Sequence, residues 1–304
     1  MLSLILRRLG SAIPTLLGVI ALSFLLMKLA PGSPFDGERA LDPATRTALK
    51  VAYGLDKPLY EQFGQYLWRV LHGDFGPSMV YRDFTVTVLV AKGLPVSLVL
   101  GGCALVLASG LGIGAGVIAA RYAGRWPDRT LSMAATMLTA LPAFVSAPLL
   151  VLVFGLTLGW LPVSGWGDVR HLILPVIALS LPVAGAVTKL TRAGLAGVMG
   201  GDNIRAAQAR GLSPMRVISR HALRPALVPV ASYLGPAAAG LLTGAVVIET
   251  VFGIPGLGRY FVQGALNRDY PLVLAVVILY AALIIVFNLL ADLAYGWLDP
   301  RVRS

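Results

Sequence analysis

Charged side chains are scarce in this chain: Asp, Glu, Lys and Arg together make up 13% of its 304 residues, whereas hydrophobic residues make up 57%. Soluble domains usually carry about 25% charged residues. The shortage of charge excludes an ordinary water-soluble domain. The apolar excess predicts an all-α polytopic membrane protein, because helices satisfy their own backbone hydrogen bonds inside a bilayer.

Several catalytic and nucleotide-binding motifs are also missing. No lysine follows a glycine, so the chain lacks the G-x-x-x-x-G-K-[ST] phosphate loop. It contains no H-E-x-x-H and no G-x-S-x-G, and its three histidines, His72, His171 and His221, are far apart. We therefore expect no catalytic residues, no metal site and no phosphate-loop ATP site. The single cysteine, Cys103, excludes a disulfide within the chain.

Long apolar runs are abundant. Runs of spanning length occur at residues 9–30, 94–120, 131–160, 172–190, 228–250 and 271–293. They predict six transmembrane helices in one domain, 1–304, with long loops at 31–93 and 191–227. The first run resembles a signal peptide, but it exceeds the 7 to 15 apolar residues usual there, so we interpret it as a retained span.

Basic residues are distributed unevenly among the loops. The formal net charge is +11, and seven basic residues lie between Lys189 and Arg224. Cytoplasmic loops of membrane proteins are enriched in Lys and Arg. This asymmetry predicts a cytoplasmic 191–227 loop, cytoplasmic termini and an extracytoplasmic 31–93 loop. The basic residues are not gathered into one patch with aromatic residues, so we expect no nucleic-acid partner.

A helix is predicted within the long loop, in "KPLYEQFGQYLWRVLHG". One face collects apolar residues at helical spacing, with Pro58 before it and Gly73 after it. The residues of that face are Leu59, Phe63, Tyr66, Leu67, Val70 and Leu71. The helix either lies on the membrane surface or the spans, or forms a platform for an extracytoplasmic partner.

Glycine pairs four residues apart occur in the second run. Gly110 with Gly114, and Gly112 with Gly116, form two overlapping pairs. Small residues at this spacing allow two helices to approach closely in lipid. We therefore expect helix packing at this position.

Two acidic residues, Glu249 and Asp292, lie toward the ends of predicted spans. Each is a candidate for the transport pathway or a gate, or for a structural hydrogen bond or interfacial anchor. A secondary transporter or channel would need coupling-ion ligands or a polar filter at membrane depth, and an intramembrane enzyme would need paired catalytic groups. The sequence displays neither set.

The stretch "DNIRAAQARGLSPMRVISRHALRPAL", residues 202–227, has the pattern of a helix, a corner and a second helix. Asp202 is positioned to cap a helix over 203–210. Gly211 is predicted to end it in a left-handed conformation. Ser213 with Pro214 is predicted to begin the next helix.

The first of these helices has two interpretations. Ile204, Ala207 and Gln208 share one face, and Ala206 and Ala207 allow close approach, so the helix is suited to docking. Alternatively, the loop is amphipathic and is fixed to lipid headgroups by its arginines. Those arginines are Arg205, Arg210, Arg216, Arg220 and Arg224.

This stretch resembles the E-A-A-x-x-x-G loop of permease subunits from binding-protein-dependent ABC importers. The matching residues are Arg205, Ala206, Ala207 and Gly211, followed by "ALRPALVPV", with arginine in place of the glutamate. Further stretches are similar to the dipeptide, oligopeptide and nickel group, and most to B-type oligopeptide permease subunits. They are "LAPGSPFDGER", "HGDFGPS", "VIETVFGIPGLGRYFVQGALNRDYPLV" and "DLAYGWLDPRVR".

The resemblance implies the type I ABC importer permease fold in a bacterial inner membrane. It implies half of an oligopeptide pathway, a second homologous permease, two ATP-binding subunits and an extracytoplasmic binding protein. ATP and Mg would be bound by the ATPase subunits, with no cofactor in this chain. Two kinds of alternative stay open. The importer could carry dipeptides, nickel complexes or glutathione instead of oligopeptides, or the chain could be an ion-coupled secondary transporter. The implied coupling residues are Asn203, Ile204, Arg205, Ala206, Ala207, Gln208, Arg210 and Gly211.

Overall fold

The computed structural model describes residues 2–29, 57–81 and 83–298. Two longer parts of the chain lie outside the described residues: 31–56, in the predicted extracytoplasmic loop, and the last residues, 299–304. They include most of "LAPGSPFDGER" and the end of "DLAYGWLDPRVR". The described chain is helical apart from turns and one isolated bridge between Pro77 and Thr85.

Five helices are long: α1 Leu2–Leu29, α3 Val86–Arg121, α6 Val169–Met199, α10 Val228–Val251 and α12 Tyr270–Leu298. The shorter helices are α2 Leu59–Leu71, α4 Trp126–Ala140, α5 Ala143–Leu150, α7 Asp202–Ala209, α8 Pro214–Val217, α9 Leu223–Ala226 and α11 Leu257–Leu266. Two π-helical segments, Val151–Thr157 and Ile218–Ala222, continue α5 and α8.

The prediction of an all-α polytopic membrane protein is confirmed. Four described helices are long and apolar enough to cross a membrane, and a bent helix pair raises the number to five. The apolar part of α1, Gly10–Leu26, is shorter. The count of six spans and their boundaries therefore stay predictions.

The predicted run at 131–160 is a helix pair rather than one straight helix. The axis of Trp126–Ala140 is bent by 102° relative to Ala143–Thr157. Leu141 is extended at the break, with φ −87° and ψ 112°. Its neighbour Pro142 disfavours the helical region for the preceding residue, which explains the break.

Helices α3 and α6 form the most extensively packed pair. A Cβ atom on Gly112 would lie 2.6 Å from Val187 Cβ, and one on Gly116 would lie 2.5 Å from Thr191 Cβ. Gly110, on another face, meets nothing within 4 Å. The small-residue packing predicted for α3 is therefore present, and Gly112 and Gly116 are the pair that allows α3 to approach α6.

The bundle has two ends that differ in structure. The loop 200–227 joins the end of α6 to the start of α10, and we call this the α7 end. The segment 252–269 joins the end of α10 to the start of α12, and we call this the α11 end. Since α10 is 24 residues long, the two ends are about 36 Å apart.

Candidate functional site

Helix α7 begins one residue earlier than predicted. Asp202 is its first residue, Gly201 occupies the cap position, and no side chain caps the helix. The predicted capping role of Asp202 is therefore wrong. Its carboxylate lies 3.9 Å from an Arg205 guanidinium nitrogen and is almost fully exposed. An acidic residue in the first turn still favours the helix, because it complements the positive end of the helix dipole.

The end of α7 is the glycine corner that the sequence predicts. Gly211 has φ 76°. Its N–H donates to Gln208 O at 2.9 Å, and Leu212 N–H donates to Ala207 O at 3.4 Å. These two bonds form the Schellman arrangement, which satisfies the last carbonyls of a helix. The next helix, α8, begins at Pro214 as predicted.

One face of α7 is buried against the chain itself. Ile204 is 1% exposed and Ala207 is 5% exposed. They belong to an apolar cluster, the α7 cluster, made of Leu195, Ile204, Ala207, Val217, Ile218, Ala222 and Ala226. Burial of one aliphatic side chain of this size stabilises by about 1.5–3 kcal/mol. Ile204 and Ala207 therefore anchor α7 and are unavailable to a partner, which corrects the predicted docking face.

The opposite face of α7 is open. Asn203, Arg205, Ala206, Gln208 and Arg210 are exposed. Their amide and guanidinium groups surround the small side chain of Ala206, so the backbone of a partner protein could approach α7 closely. Gln208 thus lies on the exposed surface and not with Ile204 and Ala207.

The α7 cluster is joined to two long helices. Val117 and Ala120 of α3 and Val198 of α6 pack against it. A Cβ atom on Gly194 of α6 would lie 2.2 Å from Ala226 O, so only glycine allows α9 to lie this close to α6. A displacement of α7 would consequently be transmitted to α3 and α6.

An ion pair between α4 and α6 lies near the same end. Arg192 donates from Nη2 to Asp128 Oδ2 at 2.8 Å, and its Nε donates to Oδ1. Asp128 also accepts from Gly124 N–H at 2.8 Å and from Ser132 Oγ at 3.2 Å. Sequence reasoning missed this pair, because 64 residues separate its members.

At the α11 end, Glu249 is fully buried. Its carboxylate accepts from Ser97 Oγ at 2.6 Å, Gly258 N–H at 2.7 Å and Arg259 N–H at 3.2 Å. A Cβ atom on Gly256 would lie 2.4 Å from the carboxylate. These contacts are structural hydrogen bonds that hold the start of α11 against α3 and α10.

Asp292 pairs with Arg8, whose Nε lies 2.7 Å from Asp292 Oδ2. The pair joins α1 to α12, and the Asp292 side chain is 28% exposed. A role of Glu249 or Asp292 in the pathway or a gate stays a prediction.

A second buried carboxylate at the α11 end was not predicted. Asp269 accepts from Ser78 Oγ, Met79 N–H at 3.2 Å and Val80 N–H at 3.3 Å. It also accepts from Leu272 N–H at 3.4 Å in the first turn of α12. Ser78 and Asp269 are 191 positions apart, so the sequence alone does not reveal this contact. Ser78 is the last residue of "HGDFGPS", one of the stretches that resemble the dipeptide, oligopeptide and nickel group.

A groove of about 280 Å³ lies between α5, α6 and α10. It is close to the lower end of the range of small-ligand sites, about 300–1,000 Å³. Its lining carries no charged side chain, and Tyr233 supplies its only side-chain hydroxyl. The lining residues are Ala143, Leu179, Pro182, Val183, Tyr233, Pro236, Ala237, Gly240, Leu241 and Gly244.

The described helices have the fold of type I ABC importer permeases. The chain superposes on a chain of an amino acid ABC transporter with a TM-score of 0.53 and 19% identity, covering 69% of this chain and 94% of that one. It superposes on a chain of the inward-facing MetNI methionine ABC transporter with a TM-score of 0.58 and 16% identity, covering 69% and 96%. At these identities the similarity establishes the fold.

The chain belongs to the family of inner membrane components of binding-protein-dependent transport systems, whose model matches residues 112–304. The N-terminal model of the same membrane components matches residues 1–81. The chain is therefore a multi-pass inner membrane protein.

Relatives align with the chain over its whole length. The oligopeptide transport system permease protein OppB of Salmonella typhimurium is 50% identical, and OppB of Haemophilus influenzae is 47% identical; both alignments cover 100% of both chains. The dipeptide transport system permease protein DppB of Lactococcus lactis is 40% identical, also over 100% of both chains.

Proposed function

We propose that this protein is the membrane-spanning subunit of an ATP-driven oligopeptide importer and forms half of its translocation pathway. The supporting observation is the 50% identity to OppB of Salmonella typhimurium over 100% of both chains. The dipeptide permease relative is ten percentage points less similar, at 40%. Oligopeptides are therefore favoured over dipeptides as the substrate class.

Uptake in cells tests the substrate class. A strain lacking this chain is complemented with the wild-type gene, and uptake of a radiolabelled oligopeptide is measured. We expect complementation to restore uptake, and excess unlabelled oligopeptide to compete better than dipeptide, glutathione or a nickel complex. Stronger competition by one of those three would assign the importer to that substrate. Restored uptake that persists without any ATPase partner would favour an ion-coupled transporter.

The importer would contain a second homologous permease, two ATP-binding subunits and an extracytoplasmic binding protein. In this assembly the open face of α7, formed by Asn203, Arg205, Ala206, Gln208 and Arg210, contacts an ATP-binding subunit. Ile204 and Ala207 hold the helix from behind, and Gly211 sets its end. The exposure of the first set and the burial of the second support this division of roles.

Nucleotide chemistry is assigned to the partners. Since the chain lacks a phosphate loop, we expect the purified chain neither to bind nor to hydrolyse ATP, with ATP and Mg bound by the ATPase subunits. Binding of a fluorescent ATP analogue to the purified chain, compared with the assembled complex, measures this directly. Saturable binding to the chain alone would contradict the assignment.

We further propose that both termini and the 191–227 loop are cytoplasmic and that α2 is extracytoplasmic. Gln65 and Arg210 are both exposed. Gln65→Cys and Arg210→Cys, each in a Cys103→Ser background, should differ when intact cells are treated with a membrane-impermeant maleimide. We expect labelling at position 65 only, and labelling at both positions after cell disruption. Labelling of intact cells at position 210 only would invert the topology.

A further inference from the structure

Helix α2 presents three different faces around its circumference. The first packs against α1: the Phe63 ring lies 5.4 Å from the Phe24 ring, and the Tyr66 ring lies 6.1 Å from it. Lys28 of α1 also donates to Gln62 at 2.5 Å. This packed face fixes the rotation of α2, so the orientation of its other two faces is determined.

On one side of the packed face lies an apolar flank made of Tyr60, Gly64, Trp68 and Leu71. Tyr60 is 79% exposed, Trp68 is 66% exposed and Leu71 is 72% exposed. At 3.6 residues per turn these four positions cover roughly 80° of the helix surface. Three large exposed apolar side chains on one stripe of a helix are typical of a membrane or protein contact.

On the other side lies a polar flank made of Glu61, Gln65, Arg69 and His72, all of which are exposed. The exposed surface of α2 is therefore amphipathic. An amphipathic helix at a membrane interface has this distribution, with aromatic residues on the lipid side and charges on the water side.

The depth of α2 in the bundle follows from its contacts with α1. The apolar part of α1 is Gly10–Leu26, and Phe24 and Lys28 of α1 contact α2. The contact thus lies where the hydrocarbon-compatible part of α1 ends. Beside it, α1 exposes Leu25 and Leu29, so its lipid-facing surface continues toward α2.

A second connection joins the end of α2 to the start of α3. Thr87, in the first turn of α3, donates from Oγ1 to Gly73 O at 3.0 Å and accepts from Phe75 N–H at 3.3 Å. Val86 N–H donates to Gly76 O at 3.0 Å. The chain that follows α2 is therefore bonded to the point where the membrane-spanning helix α3 begins.

We propose that the apolar flank of α2 lies in the bilayer, at the boundary between lipid headgroups and acyl chains, and that its polar flank faces water. The contact with Phe24 and Lys28 of α1 sets the depth of the helix, and Tyr60 and Trp68 are the residue types enriched at that boundary. A substrate-binding protein docking from the aqueous side would instead meet the polar flank. This inference does not depend on the transported substrate.

Spin labels on the two flanks test the proposal. Trp68→Cys and Leu71→Cys represent the apolar flank, and Gln65→Cys and Arg69→Cys represent the polar flank of the same helix, all in a Cys103→Ser background. Each variant is assembled with its partner subunits in vesicles of phosphatidylethanolamine and phosphatidylglycerol. Collision rates with oxygen, which concentrates in lipid, and with a water-soluble nickel chelate are then measured.

We expect the oxygen-to-nickel ratio at positions 68 and 71 to exceed that at 65 and 69 several-fold. Equal nickel accessibility at all four positions would overturn the proposal, as would protection from both reagents, which indicates a protein neighbour. Nickel accessibility at 68 and 71 that disappears only when the binding protein is added would assign the flank to that protein instead. If Trp68→Cys fails to assemble, Tyr60→Cys replaces it on the same flank.

Discussion

The two ends of the bundle are held together by different forces. At the α11 end, the fully buried carboxylates of Glu249 and Asp269 accept hydrogen bonds from Ser97, Ser78 and backbone N–H groups of distant segments. At the α7 end, α7 is attached through the aliphatic side chains of the α7 cluster. Hydrogen bonds to buried carboxylates add to apolar packing at α11, whereas α7 itself is held by apolar contacts, because the Asp128–Arg192 pair near that end joins α4 to α6.

This difference assigns different mechanical properties to the two ends. A buried carboxylate fixes the positions of its donors, because moving any donor leaves a polar group without a partner at low dielectric. Apolar contacts depend on buried area and little on direction, so a small displacement of packed aliphatic side chains leaves no polar group without a partner. The α11 end is therefore suited to hold its shape, and the α7 end is suited to move while staying attached.

The largest expected effect comes from removing the acceptor at the α11 end. Glu249→Leu leaves Ser97 Oγ and the N–H groups of Gly258 and Arg259 buried without their acceptor. Each such group costs about 1–3 kcal/mol. We expect the variant to lose its folded, monodisperse state in detergent, as measured by size-exclusion chromatography after heating.

The matched control is Asp292→Asn, which removes a carboxylate from a part-exposed ion pair with Arg8. Such pairs contribute about 0–1 kcal/mol, so this variant should behave like the wild type. A Glu249→Leu protein as heat-resistant as the Asp292→Asn protein would show that the α11 end is not held by this carboxylate.

The second effect concerns coupling at the α7 end. Gly211→Val places a β-branched residue at φ 76°, which costs at least about 1–2 kcal/mol of backbone strain. Nothing lies within 4 Å of the added Cβ atom, so the strain is relieved by displacing α7 rather than by a clash. We expect normal membrane insertion, with peptide uptake and substrate-stimulated ATP hydrolysis both reduced at least tenfold.

Gly159→Val is the control for backbone strain alone. Gly159 has φ 64°, also meets nothing within 4 Å, and follows the π-helical segment Val151–Thr157. Its replacement should leave uptake close to the wild-type rate. If both variants transport equally well, the corner at Gly211 has no part in coupling.

A smaller effect is expected where α6 meets α9. A Cβ atom in Gly194→Ala would lie 2.2 Å from Ala226 O, so α9 must move away from α6, whereas Gly197 on the same helix meets nothing within 4 Å. Overpacking of this kind costs about 1–3 kcal/mol. We expect uptake to fall several-fold in Gly194→Ala and to stay unchanged in Gly197→Ala. Equal uptake in the two variants would mean that α9 does not need this close approach.

Local features of the fold could be predicted from the sequence because they depend on neighbouring residues. Pro58 and Gly73 delimit α2 as predicted, and Gly73 has φ 75°. Gly211 ends α7 with φ 76° for the same reason, since only glycine enters that region without strain. The start of α3 at Val86 escaped the apolar count, because the charged Lys92 interrupts the apolar sequence before residue 94.

Contacts between distant segments could not be predicted. Ser97 and Glu249 are 152 residues apart, and Asp128 and Arg192 are 64 residues apart. A helical pattern indicates which residues share a face, but it does not indicate what that face contacts. Ile204 is therefore predicted to contact a partner, although it packs inside the chain. The need for a glycine at position 256 becomes clear only when the position of the Glu249 carboxylate is known.

Hydrogen–deuterium exchange of the reconstituted complex tests the contrast between the two ends most directly. Peptides covering residues 202–213 and 253–262 are compared in the permease alone and with the ATPase subunits bound. We predict that 202–213 exchanges faster in the permease alone and becomes protected when the ATPase subunits bind, while 253–262 is protected in both states. Unchanged exchange at 202–213, or a change confined to 253–262, would contradict a mobile, partner-contacting α7 end and a fixed α11 end.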